Sequence, residues 1–245
     1  MDNEELKKVY GEMYMKGSSS WFSDGAEEAE KILEIGDPWT ALDVLEIGCG
    51  CGHLAAGMHL RGSSVYGIDY SDTAIKEAKL LHPHIPFDCR HYEEISDRYD
   101  RVVMQGVLEH LDDPYIELKH IASKLLVPGG DIVTSSPCFH NPRGFVWMAL
   151  HMVGAVMSKT DLHFIDPIQM EKFCQDHGWP VAIDYCDDDW AMGKRMFADL
   201  KQRIPLALRD GSPLQWDQKS IDRFMDWLAT AYFHRGATAV YRIKP

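Results

Sequence analysis

The chain has 245 residues, 45% of them apolar, and a formal net charge of −13. This length is enough for one large α/β domain with additions. The negative charge disfavours nucleic acid as a partner, because phosphate backbones are held by Lys and Arg. Apolar runs fall short of the ~18 residues of a membrane-spanning helix, and the acidic start, Met1 to Glu5, lacks the apolar core of a signal peptide. We therefore predict a cytoplasmic protein, without a membrane span, that acts on a small molecule.

The cysteines and histidines do not predict a metal site. The six cysteines are scattered and lack zinc-ribbon spacing, and the twelve histidines form no His-x-x-x-His or similar pattern with nearby acids. We expect buried, reduced thiols and no structural metal.

Residues 1–42 are predicted to form a helical cover that precedes the main domain. Residues 4–14 place apolar side chains at helical spacing, and a second helix, about 25–35, ends at the stop signal Gly36-Asp37-Pro38. Four aromatic residues of this segment either close a ligand site or fasten the helices to the core: Tyr10, Tyr14, Trp21 and Phe22.

Residues 43–186 alternate between strand and helix patterns with short connections, which predicts a doubly wound, mostly parallel sheet. The predicted strands are 43–48, 64–69, 85–89, 99–105, 131–136 and 181–185. The predicted helices are 53–61, 72–81, 114–126 and 167–177. A last strand, 237–243 within the final segment 236–245, would complete a seven-stranded sheet, pairing antiparallel at its end.

Two segments depart from this alternation. Residues 143–158 are apolar nearly all round, which predicts a buried cover helix, although a face for a dimer partner or a lipid-like substrate stays open. Residues 187–235 are rich in aromatic residues and Met, and we interpret them as a helical insert that forms a substrate cap or an element of a homodimer.

The stretch from Asp43 to Leu54 carries the strongest signal for function. An apolar strand bearing one acid, Glu46, runs into glycines at every second position, Gly48, Gly50 and Gly52, and then into a helix. Such a turn lets the main chain approach a ligand closely and directs free N–H groups at it. A dinucleotide loop, G-x-G-x-x-G, is the rival interpretation, but here the third glycine comes one residue too early.

This stretch resembles motif I of the class I S-adenosylmethionine-dependent methyltransferases, acid-x-Gly-x-Gly-x-Gly. Further segments match the same family in the expected order: Asp69 at the end of the second strand, Val107-Leu108-Glu109-His110 after the fourth, and Val127-Pro128-Gly129-Gly130 before the fifth. His163 and the following residues resemble the ubiquinone-biosynthesis-type branch. The resemblance covers residues 40–185 and implies an α/β, Rossmann-like fold.

The resemblance also implies a cofactor, S-adenosyl-L-methionine, with S-adenosyl-L-homocysteine as its product. Glu46 would lie near the ammonium of the methionine end, Asp69 would accept the ribose hydroxyls, and Tyr70 would lie against the adenine. Relatives often carry Gly-Asp-Ala after the third strand, where this chain has Arg90-His91-Tyr92. The predicted cofactor-binding residues are Glu46, Gly48, Cys49, Gly50, Asp69, Tyr70, His91, Tyr92 and Gln105.

Methyl transfer to a hydroxyl also needs a base, and histidine is a common one. His110 follows the fourth predicted strand, His140 follows the fifth at the same carboxyl edge of the sheet, and His163 opens the helix before the sixth. We expect one of them to serve. A small-molecule O-methyltransferase is therefore predicted. Transfer to nitrogen or carbon, and a cofactor-binding regulatory or scaffold protein without catalysis, stay open as alternatives.

Overall fold

A computed structural model of the chain describes residues 26–138, 163, 165–186, 219–220, 223 and 238–245. Its centre is one seven-stranded sheet in the order β3-β2-β1-β4-β5-β7-β6. The strands are β1 (Asp43–Ile47), β2 (Ser64–Asp69), β3 (Phe87–Cys89), β4 (Tyr99–Gln105), β5 (Leu126–Pro137), β6 (Val181–Tyr185) and β7 (Thr238–Ile243). The described helices are α1 (Ala26–Ile35), α2 (His53–Leu60), α3 (Asp72–Leu81), α4 (Pro114–Leu125) and α5 (Pro167–Asp176), with short 3₁₀ turns at Tyr92–Glu94 and Leu108–His110.

The predicted fold class is confirmed. Strands β1 to β5 pair in parallel, whereas β7 pairs antiparallel with both β5 and β6. The predicted place of the last strand at the end of the sheet is wrong, because β7 lies between β5 and β6. Its central residues Ala239, Val240 and Tyr241 are fully buried, so the strand is covered on both faces, and this explains why its sequence alternates only weakly.

The order of the strands creates a switch point between β1 and β4. The chain proceeds from β1 outward to β2 and β3, and then returns to the other side of β1 for β4 and β5. The helices that follow β1 and β4, α2 and α4, therefore lie on opposite faces of the sheet. In open α/β sheets the crevice formed at the carboxyl edge of such a switch point is where ligands bind.

Helices cover both faces of the sheet. On one face, Ile32 and Leu33 of α1 join α2 and α3 in a buried cluster over Val133 and Val240. On the other face, α4 and α5 contribute to a second cluster that includes Leu118, Met170 and the β7 residue Tyr241. Helix α1 thus packs on the sheet itself, beginning and ending within a residue of its predicted limits.

A buried ion network fixes the end of α1 at the amino edge of the sheet. Asp131 of β5 accepts hydrogen bonds from Arg101 (Nε–Oδ1 2.5 Å) and from Arg242 (Nε–Oδ2 2.7 Å). The same two guanidinium groups donate to the carbonyl oxygens that follow α1, among them that of Asp37 at 2.8 Å. Arg101 also lies 4.4 Å from the ring centre of Trp39. These contacts satisfy carbonyls that the end of a helix leaves unpaired.

Several predictions fall outside the described residues. They concern the aromatic residues of the first segment (Tyr10, Tyr14, Trp21 and Phe22), the apolar segment 143–158, and almost all of the insert 187–235. Within the described ranges, none of the helices is long and apolar enough to cross a membrane.

Candidate functional site

The glycine loop after β1 is shaped by main-chain hydrogen bonds to β2. The N–H groups of Gly48 and Cys49 both donate to the carbonyl of Ile68, at 2.8 and 3.0 Å. Gly48, Gly50 and Gly52 all have positive φ, a conformation that glycine adopts without steric cost. A Cβ on Gly48 would lie 2.7 Å from Cγ2 of Val107, in the loop after β4. The two loops at the switch point are therefore in close contact.

Asp69, at the end of β2, ties the glycine loop to the start of α3. Its Oδ2 accepts from the N–H of Gly50 at 3.0 Å, and its Oδ1 accepts from the N–H of Ser71 at 2.8 Å. The side chain is buried, which raises the pKa of its carboxyl despite these hydrogen bonds. The N–H of Tyr70 also donates to this carboxylate, and the acceptor capacity that is left suits a further donor such as a ribose hydroxyl.

Glu46 is a buried acid with an incomplete set of partners. It is 2% exposed, and within the described part of the chain its Oε2 has no hydrogen-bond partner. The other oxygen accepts from the main-chain N–H of Ala55, in the first turn of α2. Burial and, secondly, the nearby charge of Asp69 raise the pKa of Glu46 to about 8. A cation placed against Oε2 would satisfy this oxygen and favour the ionised carboxylate.

Cys49, also predicted to bind the cofactor, contributes its main chain to the loop and its side chain to the core. The thiol is buried in the α1–α2–α3 cluster, and that burial raises its pKa well above the usual range. Cys49 is therefore a poor nucleophile, and its small side chain suits the tight packing under the turn.

The predicted adenine-side residues take three different positions. Tyr70 is half-buried directly after Asp69. Tyr92 lies in the core, and its hydroxyl donates to the carboxylate of Glu117 on α4. The half-buried His91 begins a 3₁₀ turn and its Nδ1 accepts from the N–H of Glu93 at 3.4 Å. In the neutral ring this leaves Nε2 carrying the proton, so His91 can donate a hydrogen bond with Nε2.

Two glutamates that the sequence analysis did not select lie at the carboxyl ends of β4 and β5. Glu28 of α1 accepts from Nε2 of Gln105 at 3.2 Å, and Glu109 accepts from the hydroxyl of Ser136 at 2.9 Å. Glu109 stands inside a matched motif and is 4% exposed, so its place in that motif was the available signal. For Glu28 there was none, because nothing in the spacing of α1 connects it with a strand 77 residues away.

Of the three predicted bases, the structure describes two. His163 lies beside the 3₁₀ turn that contains Glu109, because its main-chain N–H donates to the carbonyl of Glu109 at 3.1 Å. Its Nε2 lies 2.9 Å from the carbonyl of Asp112, and since a carbonyl only accepts, Nε2 carries the proton and Nδ1 has the lone pair in the neutral ring. His110 is half-buried at the end of the turn. His140 lies outside the described residues.

No group of three potential ligands that could hold a metal ion occurs among the described residues.

Replacing Gly48 by Ala is expected to lower the free energy of unfolding by about 2–4 kcal/mol, since the left-handed conformation and the contact with Val107 both oppose a Cβ. Gly129→Ala is a matched control. Gly129 also has positive φ, but its Cβ would meet no atom within 4 Å, and we expect a loss of only about 1–2 kcal/mol. Urea denaturation of both variants measures the difference, and equal losses would show that the loops are not in close contact.

A sheet of this strand order, with an acid-bearing glycine loop at its switch point and an acid after β2, defines a class I methyltransferase-like nucleotide site. The sequence profile of the family described as "Methyltransferase domain" matches residues 23–182. The chain belongs to this family, and the predicted resemblance to the class I S-adenosylmethionine-dependent methyltransferases is confirmed.

Curated relatives include proteins named ubiquinone biosynthesis O-methyltransferase. The one from Alkalilimnicola ehrlichii is 34% identical over 115 residues, covering 44% of this chain and 46% of the relative. The one from Leptothrix cholodnii is 32% identical over 154 residues, covering 56% and 63%. The matched region thus spans about half the length of these relatives.

Solved structures show the same fold at low identity. A complex of DhpI with SAM and HEP has a TM-score of 0.64 at 15% identity, covering 100% of both chains. Magnesium protoporphyrin IX methyltransferase from Synechocystis PCC 6803 with bound SAH has a TM-score of 0.60 at 13% identity, covering 97% of this chain and 99% of that one. At these identities the similarities show a shared fold and no more.

Proposed function

We propose that this protein is an S-adenosylmethionine-dependent methyltransferase that methylates an oxygen of a small-molecule acceptor. Membership of the methyltransferase family and the names of the curated relatives support this function. The observation that carries it is the buried Oε2 of Glu46 behind the glycine loop, which has no hydrogen-bond partner among the residues that the structure describes. A carboxyl group in this position has no structural use for its second oxygen, whereas an amino-acid ammonium would complete its hydrogen bonds. We place the protein in the cytoplasm.

The residues around the loop fit the cofactor. Glu46 would hold the ammonium of the methionine end, and the main chain of Gly48 to Gly50 would lie close to the cofactor. Asp69 would accept from the ribose hydroxyls. When bound, S-adenosylmethionine supplies a methyl group on a sulfonium. The protein's part is to hold the acceptor in line with that group, and correct positioning is worth several kcal/mol.

At the adenine end we propose that Tyr70 and His91 contact the base. Tyr70 offers a flat ring beside Asp69, and His91 offers its Nε2–H to a ring nitrogen. Tyr92 would support the ring of His91 from the core side. The two ring centres are 4.5 Å apart, and the hydroxyl of Tyr92 is bonded to Glu117.

When the acceptor atom is a hydroxyl oxygen, the proton of that hydroxyl must be removed. The histidines predicted for this role are His110, His140 and His163, and His163 has the ring orientation that leaves Nδ1 able to accept a proton. Methyl transfer to nitrogen or carbon would depend less on a general base.

Titration calorimetry is expected to detect S-adenosylmethionine binding, and Asp69→Ala is expected to abolish it. The exposed Asp72, three residues along on the first turn of α3, provides the control variant Asp72→Ala, which should bind normally. Because Asp69 also holds the loop, the melting temperature of each variant must be measured alongside. A wild-type protein that binds neither S-adenosylmethionine nor S-adenosylhomocysteine would refute the proposed function.

A transfer screen with methyl-labelled S-adenosylmethionine against phenols, sugars and amines distinguishes the alternatives. Labelled phenols or sugars would support O-methylation, and labelled amines would move the assignment to nitrogen. Binding of the cofactor without transfer to any acceptor class would favour a regulatory or scaffold protein.

A further inference from the structure

Glu28 is brought to the switch point by the direction of α1. The carbonyls that follow this helix bind Arg101 and Arg242 at the amino edge of the sheet, so its first turn lies at the opposite, carboxyl edge. There the carboxylate of Glu28 meets Gln105, the last residue of β4. The next loop residues, Gly106 and Val107, lead to the contact between Val107 and Gly48 of the glycine loop. Glu28 therefore borders the crevice in which the proposed cofactor would lie.

The carboxylate of Glu28 is held by neutral donors. Nε2 of Gln105 donates to Oε2 at 3.2 Å, and the side chain of Ser135 on β5 forms a second hydrogen bond. The hydroxyl oxygen of Ser135 accepts from the N–H of Gly106 at 3.2 Å, so its own proton is available for Glu28. Two donors orient the carboxylate and leave lone pairs for a further partner.

The surroundings of Glu28 also suit proton transfer. Burial raises the pKa of its carboxyl, and the hydrogen bonds from Ser135 and Gln105 oppose that rise. On its own helix, the neighbouring Glu27 is exposed, and Lys31 is paired with Glu34 and Asp184. A carboxylate with a raised pKa is a stronger base than one in water, and it still ionises at higher pH.

We propose that Glu28 is the general base of the methyl transfer. As the acceptor oxygen attacks the methyl carbon, its O–H bond breaks and the proton passes to the carboxylate of Glu28. The new O–CH₃ bond forms while the S–CH₃ bond breaks, and that electron pair stays on sulfur, which becomes a neutral thioether. Glu28 then releases the proton to solvent. This inference rests on the proposed function and names a residue for its proton step.

The other acid at this edge of the sheet is less suited to this step. Glu109 is almost fully buried and bonded to Ser136, whose side chain extends to the opposite face of β5 from that of its neighbour Ser135. Glu28, by contrast, is a partly exposed residue whose carboxylate is held by neutral donors at the crevice.

The test compares Glu28→Gln with Glu27→Gln and His163→Gln, using the first acceptor that the transfer screen returns. Glu28→Gln keeps an oxygen that can accept from Gln105, so we expect a folded variant, with a melting temperature no lower than that of the wild type, and unchanged cofactor affinity. We expect kcat to fall by about 10²- to 10⁴-fold, the usual contribution of a general base. Glu27→Gln, one residue away and exposed, should keep the wild-type kcat.

The outcomes separate the two proposals. A wild-type kcat in Glu28→Gln would overturn the role of Glu28, and a loss in His163→Gln alone would assign the base to the histidine. If the wild-type protein does not bind the cofactor, the proposed function is refuted instead.

A second measurement needs no known acceptor. p-Nitrophenol, whose ionised form is coloured, is titrated against pH in the presence of protein saturated with S-adenosylhomocysteine. A carboxylate facing its hydroxyl raises the apparent pKa of the bound phenol, so this pKa should be higher with the wild-type protein than with Glu28→Gln. The same value with both proteins would overturn the inference.

Discussion

Replacing Glu46 by Gln is expected to weaken S-adenosylmethionine binding by about 30- to 150-fold, equivalent to about 2–3 kcal/mol. The variant keeps the volume of the side chain and a hydrogen-bond acceptor for Ala55, but it loses the negative charge that an ammonium would meet. Titration calorimetry measures the change. The exposed Glu34 of α1 provides the control, Glu34→Gln, which should bind as the wild type does. Equal affinity in Glu46→Gln would remove Glu46 from the cofactor site.

The pH dependence of binding follows from the raised pKa of Glu46. In the free protein this pKa is about 8, so the carboxyl is largely protonated at neutral pH and must lose its proton when an ammonium binds. The affinity attributable to Glu46 should therefore increase as the pH rises towards 8, where this carboxyl ionises. Calorimetry in two buffers with different ionisation enthalpies should show proton release below this pH in the wild type, and none from this group in Glu46→Gln.

The same pKa shift predicts an opposite effect on the stability of the ligand-free protein. The folded-state pKa of Glu46, about 8, lies above its ordinary value of 4.5. Its contribution to stability is therefore fully present below pH 4.5 and is lost as the pH rises through 8. Gln does not ionise, so ligand-free Glu46→Gln should melt at a higher temperature than the wild type above this pH. A lower melting temperature at that pH would contradict the assignment. The conflict between stability and binding is typical of functional residues.

Asp131→Asn is expected to lower the free energy of unfolding by about 3–5 kcal/mol, because it leaves two guanidinium groups facing each other without their shared carboxylate. The side chain of Asp131 is 8% exposed and that of Arg101 is 3% exposed, so solvent screens their interaction poorly. Urea denaturation measures this loss. Since the same arginines hold the end of α1, the variant should also loosen the helix that carries Glu28.

A surface ion pair and a double variant serve as controls for Asp131. Lys172 and Asp176 of α5 form a pair whose side chains are 71% and 56% exposed, and Asp176→Asn should cost less than about 1 kcal/mol. Arg101→Met combined with Asp131→Leu should recover part of the loss, since the more deeply buried guanidinium disappears together with the carboxylate and only that of Arg242 is left. A loss for Asp131→Asn as small as that for Asp176→Asn would show that the network adds little.

Local chemistry was enough to predict the glycine loop and the two acids beside it. An apolar strand, alternating glycines and a helix determine a tight turn wherever they occur, because only glycine tolerates the positive φ that the turn requires. The limits of β1, β2, β4 and α3 agree with those predicted to within a residue. Glu46 and Asp69 are predictable for the same reason, since each lies in or directly beside such a turn.

Tertiary structure, in contrast, decided three features: the position of β7, the core location of Tyr92 and the contacts of Glu28. Pairing of β7 with β5 joins segments about a hundred residues apart (Pro137 with Thr238), and no local pattern encodes which neighbour a buried strand selects. Glu28 meets Gln105 across 77 residues, and Asp131 meets Arg242 across 111. The sequence by itself thus determined the loop that would receive the methyl donor, because backbone conformation is a local property. Only the tertiary structure decided which acids lie at the carboxyl ends of β4 and β5, because burial and long-range contact arise when distant elements pack together.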